Sequence, residues 1–91
     1  MDRREAAAIA DAVIGEIQAI PFQVLVDRLL GEVEVRVETG ASGVEYQVEI
    51  QAMRDGRGPG DLRVMVGVDD GSLRGAFRPV ARDFLVAATE A

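Results

Sequence analysis

The residue types best suited to chemistry lie together in one segment, residues 66–77, which reads VGVDDGSLRGAF. Two adjacent carboxylates, Asp69 and Asp70, precede a glycine, a serine and Arg74. Carboxylate oxygens bind divalent cations, and arginine is suited to phosphate. The same letters are also typical of a tight turn, because Asp-Gly readily adopts the positive φ angles of a two-residue hairpin. The segment is therefore either a ligand loop or a connection between two strands.

Alternation of apolar residues on both sides of Asp70-Gly71 favours the hairpin. If these two residues form the turn, Asp69 faces Ser72, and the apolar pairs are Val68 with Leu73, Val66 with Gly75, and Val64 with Phe77. A metal loop needs further oxygen ligands at defined spacing and would not produce this match. The sequence therefore predicts a structural role for the segment.

The rest of the chain offers few catalytic groups. It contains no histidine and no cysteine, which removes the commonest general base, the thiolate nucleophile and the usual transition-metal ligands. The glycines of GRGPG, residues 56–60, are not followed by a strand-to-helix step, so they are not a phosphate-binding fingerprint. The carboxylates of Glu34 and Glu49 are predicted neighbours, but nothing on an outer sheet face would desolvate them. We predict a non-enzymatic protein with no cofactor and no metal.

Length and charge narrow the class of partner. The 91 residues suit one domain, residues 1–91, and the absence of cysteine excludes disulfides. A net charge of −6 disfavours nucleic acid and anionic membranes as partners. No signal peptide or long apolar span is present, so a cytoplasmic location is expected. All ten basic residues are arginine, and lysine and asparagine are absent, which indicates a GC-rich bacterial genome.

Hydrophobic spacing of 3.6 residues predicts two helices at the start of the chain. The first covers residues 3–19 and ends before Pro21. The second covers PFQVLVDRLL, with Gly31 just past its end, although a strand through FQVLV is the alternative. The last segment, PVARDFLVAATEA, begins with Pro79 and predicts a third helix.

Between the second and third helices the period changes to two, which predicts strands. EVEVRVET and VEYQVEIQAM are joined by a loop at residues 40–43, with Val37, Val35 and Val33 facing Tyr46, Val48 and Ile50. After a loop at residues 54–61, LRVMVGVD and LRGAF form the second hairpin. The predicted fold is α+β, in the order α-α-β-β-β-β-α: an antiparallel meander with the helices packed on one face.

This register leaves a charged outer face, which is the candidate partner surface. It sets Glu38 beside Glu45 and Glu34 beside Glu49, and like charges directly opposite are unfavourable. Solvation, a basic partner or a divalent cation each explains such a face. Arg on an edge strand either contacts a partner or discourages sheet extension. The candidate residues are Glu34, Glu38, Glu45, Glu49, Arg63, Met65, Arg74 and Arg78.

Three segments together cover about half the chain: PFQVLVDRLLGE, SGVEYQVEIQ and DLRVMVGVDDGSLRGAFRPVARDFLVA. They resemble the pattern of a family of small uncharacterised bacterial proteins. The family usually has a tryptophan where this chain has Leu73, and a Pro-Asp-Gly turn where this chain ends in AATEA. The resemblance implies no activity. It also leaves a short strand at DFLVAA as the alternative to the last helix.

Composition, motifs and predicted faces together favour a cytosolic module that binds protein, either another protein or a second copy of itself. An acidic surface that covers a basic partner predicts affinity that falls steeply with salt. Self-association through apolar stripes or an edge strand predicts salt-insensitive dimers. The alternative function is a small-molecule or divalent-cation binding module, with or without weak hydrolytic activity.

Overall fold

A computed structural model shows two helices followed by a four-stranded antiparallel sheet. It describes residues 1–56, 60–71 and 79–88. The strands follow chain order across the sheet, β1-β2-β3-β4, so the predicted α+β class and the meander are confirmed. The elements are α1 Arg3–Gln18, α2 Phe22–Leu29, β1 Val33–Thr39, β2 Glu45–Arg54, β3 Leu62–Asp69 and β4 Val80–Val86.

Helix α1 begins at a side-chain cap and buries one apolar stripe. Asp2 Oδ1 accepts a hydrogen bond from the Glu5 backbone N–H at 3.0 Å, which satisfies one of the free donors of the first turn. Steps of three and four residues then place a stripe on the sheet side of the helix. The buried members of this stripe are Ala6, Ala10, Val13 and Ile17.

Helix α2 begins after Pro21, which cannot donate an intrahelical bond and is tolerated there. Leu25 and Leu29 are fully buried, and Gly31 follows with φ +81°. The alternative strand through FQVLV is therefore wrong. No single helix within the described ranges meets the length and hydropathy needed to span a membrane, whereas α1 and α2 meet them as a pair bent by 119°.

The core lies between the helices and one face of β2, β3 and β4. Alternate residues of β2 and β3 point into it, as their period of two predicts. Strand β1 contributes no residue to the buried core. The inward residues of β2 and β3 are Tyr46, Val48, Ile50, Ala52, Leu62, Val64, Val66 and Val68.

The predicted C-terminal helix is wrong, because Val80–Val86 forms β4. Val80, Phe84 and Val86 face the core with a period of two, and Arg82 on the same side reaches Asp11 of α1 at 3.5 Å. The segment VARDFLV is compatible with the period of a strand and with that of a helix, since its apolar residues also recur at a step of four, as in Val80 and Phe84. Tertiary pairing with β3 decides between them.

The predicted partner of β3 is also wrong. Val68 pairs with Val80, and Val64 pairs with Phe84, so β4 occupies the edge assigned to LRGAF. Asp70 lacks the positive φ of a two-residue hairpin, although Gly71 has φ +78°. The predicted fourth strand itself, residues 73–77, lies outside the described residues.

Candidate interaction surface

The outer face of the sheet, on the side away from the helices, has a row of three exposed valines along β1. Val33, Val35 and Val37 expose 55%, 55% and 57% of their surface. Their cross-strand partners are Gln51, Glu49 and Gln47, which are all exposed. The sequence predicted these valines on the core side. We call Val33, Val35 and Val37 the valine ridge.

A one-residue difference in the hairpin loop moves the valines to the outer face. Gly40 donates its N–H to the Val44 carbonyl at 2.8 Å, so the loop has three residues, 41–43, rather than the predicted four. Gly43 has φ +90° and closes this loop, as glycine does in three-residue hairpins. Because side chains alternate with a period of two, the shift reverses every residue of β1 relative to β2.

The helix layer favours this register because it does not extend over β1. Helix α1 packs on β3 and β4, and α2 packs on β2. The inner positions of β1 are accordingly half-buried rather than fully buried. The inner positions of β1 carry charged residues instead, and two of them, Glu34 and Arg36, bond to the helices.

Glu34 forms the best-defined of these bonds. The Arg28 guanidinium donates from Nε at 2.8 Å and from Nη2 at 2.7 Å to the two oxygens of the Glu34 carboxylate. This bidentate bond lowers the pKa of Glu34 and raises that of Arg28. It joins the end of α2 to β1.

Arg36 is bonded through one nitrogen. Its Nη1 lies 3.1 Å from Glu16 Oε1 of α1 and 3.8 Å from Glu38 Oε1 of the same strand. Its Nε and Nη2 are buried and have no hydrogen-bond acceptor within the described part of the chain. A buried donor without an acceptor costs free energy, so Arg36 is only partly satisfied by its bonds to Glu16 and Glu38.

The structure divides the predicted partner surface. Glu45, Glu49, Arg63 and Met65 lie on the outer face, as expected. Glu34 and Glu38 were expected there and lie on the helix side, because of the shifted register. The predicted like-charge pairs are also wrong, since Glu49 lies opposite Val35, and Glu45 opposite Thr39. Arg74 and Arg78 lie outside the described residues.

Arg63 is already bound within the sheet. Its guanidinium contacts Asp83 of β4 at 2.5 Å and Asp55 at 3.8 Å. Arg63 therefore pairs with two carboxylates, one of which belongs to the neighbouring strand β4.

A shallow depression of about 380 Å³ lies at the centre of the outer face. Its floor is Gly67, where an added Cβ would meet no atom within 4 Å. Glu49 and Asp83 provide carboxylates at its sides, and Met65 and Ala81 provide apolar surface. Met65, one of the candidate residues of the predicted partner surface, lines this depression.

A second groove, of about 360 Å³, separates α1 from β1. Ile9, Ala12 and Val13 of α1 form its apolar wall, and Glu16 and Glu38 form part of an acidic rim. The groove marks the side of the helix layer that leaves β1 uncovered.

The β1–β2 loop is tied to α1 through Glu5. The Glu5 carboxylate accepts from Ser42 Oγ at 2.7 Å and from the Ser42 N–H at 3.1 Å. These bonds and one from the Tyr46 hydroxyl lower the pKa of Glu5. Burial, followed by the bond to Glu5, raises the pKa of Tyr46 to about 12. A Cβ at Gly40 would overlap the Glu5 carboxylate, so a larger residue there would displace Glu5 from Ser42.

No group of three or more acidic side chains close enough to hold a metal ion occurs among the described residues. Comparison with family models, curated proteins and solved structures finds no match. The resemblance to the small bacterial family therefore stays a prediction.

The outward position of the valine ridge was not predicted from the sequence, although the spacing of two glycines indicates the loop that causes it. Gly40 and Gly43 are spaced as the first partner and the last loop residue of a three-residue hairpin. Alternation alone predicted that the valines face the core, because a strand usually turns its apolar side toward the helix layer that covers the sheet. The position of that layer is not contained in the local pattern.

Proposed function

We propose that this protein is a cytosolic, non-enzymatic module that binds a protein partner through the valine ridge and the adjoining outer face. The observation that carries the proposal is the exposure of three consecutive outward valines on one edge strand. Single exposed apolar residues are ordinary, but a contiguous row rimmed by polar side chains is typical of an interaction site.

The edge of β1 strengthens this interpretation. Sheet edges in soluble proteins are usually protected by lysine, proline, bulges or a covering segment, because their free backbone groups can pair with another strand. Within β1 the outward side chains are Val33, Val35, Val37 and Thr39, none of which is charged. Among the described strands none pairs with this edge of β1, so it combines unpaired backbone groups with apolar side chains.

The surroundings of the ridge are suited to a protein interface. Gln47, Glu49 and Gln51 border it on β2 and provide hydrogen-bonding groups. Met65 lies opposite Gln51 on β3 and extends the apolar surface beyond them. An apolar centre with a polar rim is the usual anatomy of a reversible protein interface.

A matched pair of variants tests the proposal. Val35→Arg places a charge in the ridge, whereas Val24→Arg places the same charge on α2 at a valine that is 48% exposed. Tagged protein is used for pull-down from the native cell extract at low and high salt. The protein captured in the pull-down is then purified, and its binding to each variant is measured by calorimetry. If the captured protein is the untagged chain itself, its self-association is measured instead.

We expect Val35→Arg to abolish binding and Val24→Arg to retain it. Equal binding by both variants contradicts the proposal, because the interface then lies elsewhere. Circular dichroism of each variant establishes that the fold is intact before binding is compared.

A second candidate function is small-molecule or divalent-cation binding in the depression at Gly67. It is favoured by the Glu49 carboxylate beside an open floor, with Asp83, which is paired with Arg63, also lining the depression. A ligand at about 100 times its Kd stabilises the folded state by about 2.7 kcal/mol. Thermal unfolding with Ca²⁺, Mg²⁺ or EDTA tests the cation version, and an unchanged Tm in all three contradicts it.

A further inference from the structure

We propose that the partner on β1 is a second copy of the same chain, paired antiparallel through β1 about a two-fold axis at Val35. This proposal specifies the partner within the proposed function and rests on it. The two sheets would join into one continuous sheet of eight strands.

The backbone of β1 is oriented for this pairing. Gly40 bonds to Val44 across the hairpin, and bonded positions recur every second residue in an antiparallel ladder. Glu34, Arg36 and Glu38 therefore direct their N–H and C=O groups toward β2. The three ridge valines direct theirs away from the sheet, where a second strand can pair with them.

The outer side chains match in this register. Val35 faces Val35 of the second copy, and Val33 faces Val37 in both directions. All three valines of each chain thus contact a valine across the axis. β-branched residues opposite one another are favourable cross-strand pairs.

The charged side chains on the inner side match as well. Glu34 of each copy faces Arg36 of the other, giving two opposite-charge pairs related by the two-fold axis. Glu34 already accepts two hydrogen bonds from Arg28, so across the edge its carboxylate adds electrostatic attraction to the Arg36 guanidinium of the second copy.

Neighbouring registers match less well. An axis at Arg36 sets Arg36 against itself and Glu34 against Glu38, which are like charges. An axis at Val37 keeps opposite charges together but moves Val33 opposite Ala41, outside the strand. Only the axis at Val35 pairs the whole valine ridge with itself.

The other sheet edge does not offer such a match. In β4 an axis at Asp83 sets Asp83 against itself, and an axis at Arg82 does the same for Arg82. An axis at Phe84 leaves Arg82 opposite Val86. Self-pairing is therefore specific to β1, where the sequence Val-Glu-Val-Arg-Val is complementary to its own reverse.

Sedimentation equilibrium is the first measurement. We expect the wild-type chain to sediment at twice its 9.7 kDa mass, and Val35→Arg to sediment as a monomer. Val24→Arg is the matched control and is expected to remain dimeric. A wild-type monomer throughout the accessible concentration range, or a Val35→Arg dimer, overturns the proposal.

Cysteine cross-linking tests the register, and the chain has no cysteine of its own. Facing strand residues lie about 4.5–5.5 Å apart between Cα atoms, within the range of a disulfide. Val35→Cys is expected to form a disulfide with itself on mild oxidation. Val33→Cys and Val37→Cys are expected to do so only when mixed. Cross-linking of Val37→Cys alone, without Val35→Cys, overturns the assigned axis.

These outcomes separate this inference from the proposed function. A monomeric wild-type protein that binds a different protein, and loses it on Val35→Arg, overturns the second copy as partner and keeps the proposed surface. A wild-type chain that neither dimerises nor loses a partner on Val35→Arg overturns both.

Discussion

Tyr46 carries a hydroxyl into the core, close to the carboxylate of Glu5. Tyr46 exposes only 1% of its surface, and its hydroxyl bonds to the Glu5 carboxylate that also holds Ser42. The sequence placed Tyr46 on the core side of β2, which is confirmed. Glu5 belongs to α1, so its influence on the Tyr46 hydroxyl is a contact between α1 and β2.

Alkaline titration tests the burial of Tyr46 directly, because it is the only tyrosine and the chain has no tryptophan. Its folded pKa is raised to about 12, whereas an unfolded tyrosine titrates near 10. Stability from this group is therefore complete below about pH 10 and is lost as pH rises toward 12.

Absorbance of the tyrosinate at alkaline pH is expected to rise near pH 12 in buffer. In denaturant it is expected to rise near pH 10. Circular dichroism on the same samples reports whether the protein is still folded. A midpoint near 10 in the folded protein contradicts the buried, hydrogen-bonded hydroxyl.

Glu5 is expected to contribute to the loss of the free energy of unfolding at acidic pH. Its pKa is lowered in the folded state, chiefly by the Ser42 hydroxyl, so its stabilisation is present at neutral pH and lost as pH falls through the folded pKa. Glu5→Gln should make Tm less dependent on pH in the acid range. Glu45→Gln removes the same charge from the outer face, and an equal effect of both variants contradicts the assigned role.

At the scale of the elements, the β1–β2 loop decides which side of β1 faces out. Three loop residues rather than four turn Val35 outward and Arg36 inward. Alternation predicted both strands correctly but not their relative register. A local pattern fixes which residues share a face, and the turn fixes which face that is.

Gly67 offers a prediction on β3. Glycine within a strand costs about 0.5–1 kcal/mol relative to alanine, and a Cβ there meets nothing within 4 Å. Gly67→Ala should therefore raise the free energy of unfolding by about this amount.

Gly31→Ala is the matched control for Gly67→Ala. Gly31 also has open space, but its φ of +81° is unfavourable for alanine, so this variant should lose about 1–2 kcal/mol. Chemical denaturation of both variants measures the difference. Destabilisation by Gly67→Ala would contradict an open floor on the outer face.

At the scale of the whole molecule, two helices cover three of the four strands. The groove between α1 and β1 and the exposed valine ridge are two consequences of the same uncovered strand. Pairing with a second β1 would bury the ridge and its edge. In such a dimer the net negative charge of the chain would favour solubility and would not be needed to bind a basic partner.

The salt dependence of binding distinguishes an apolar dimer interface from an acidic surface that binds a basic partner. Contact between valines is not screened, whereas an acidic face on a basic partner weakens strongly as the Debye length falls from about 10 Å at 0.1 M to about 3 Å at 1 M. We expect the dissociation constant of the dimer to change by less than about tenfold over this range, as two Glu–Arg pairs contribute modestly. A change of several hundredfold, measured by sedimentation, contradicts an apolar interface.

The amino-acid sequence by itself determined the α+β class, both helices, the first three strands and the inward residues of β2 and β3. These follow from periodicity, caps and glycine positions, which are local properties. The tertiary structure alone decided that Val80–Val86 is a strand and that the valine ridge faces out. Both depend on what lies beside the segment. The spacing of VARDFLV is compatible with a helix or a strand, and pairing with β3 selects the strand. The valines of β1 would be buried only if a helix covered them, and neither described helix does.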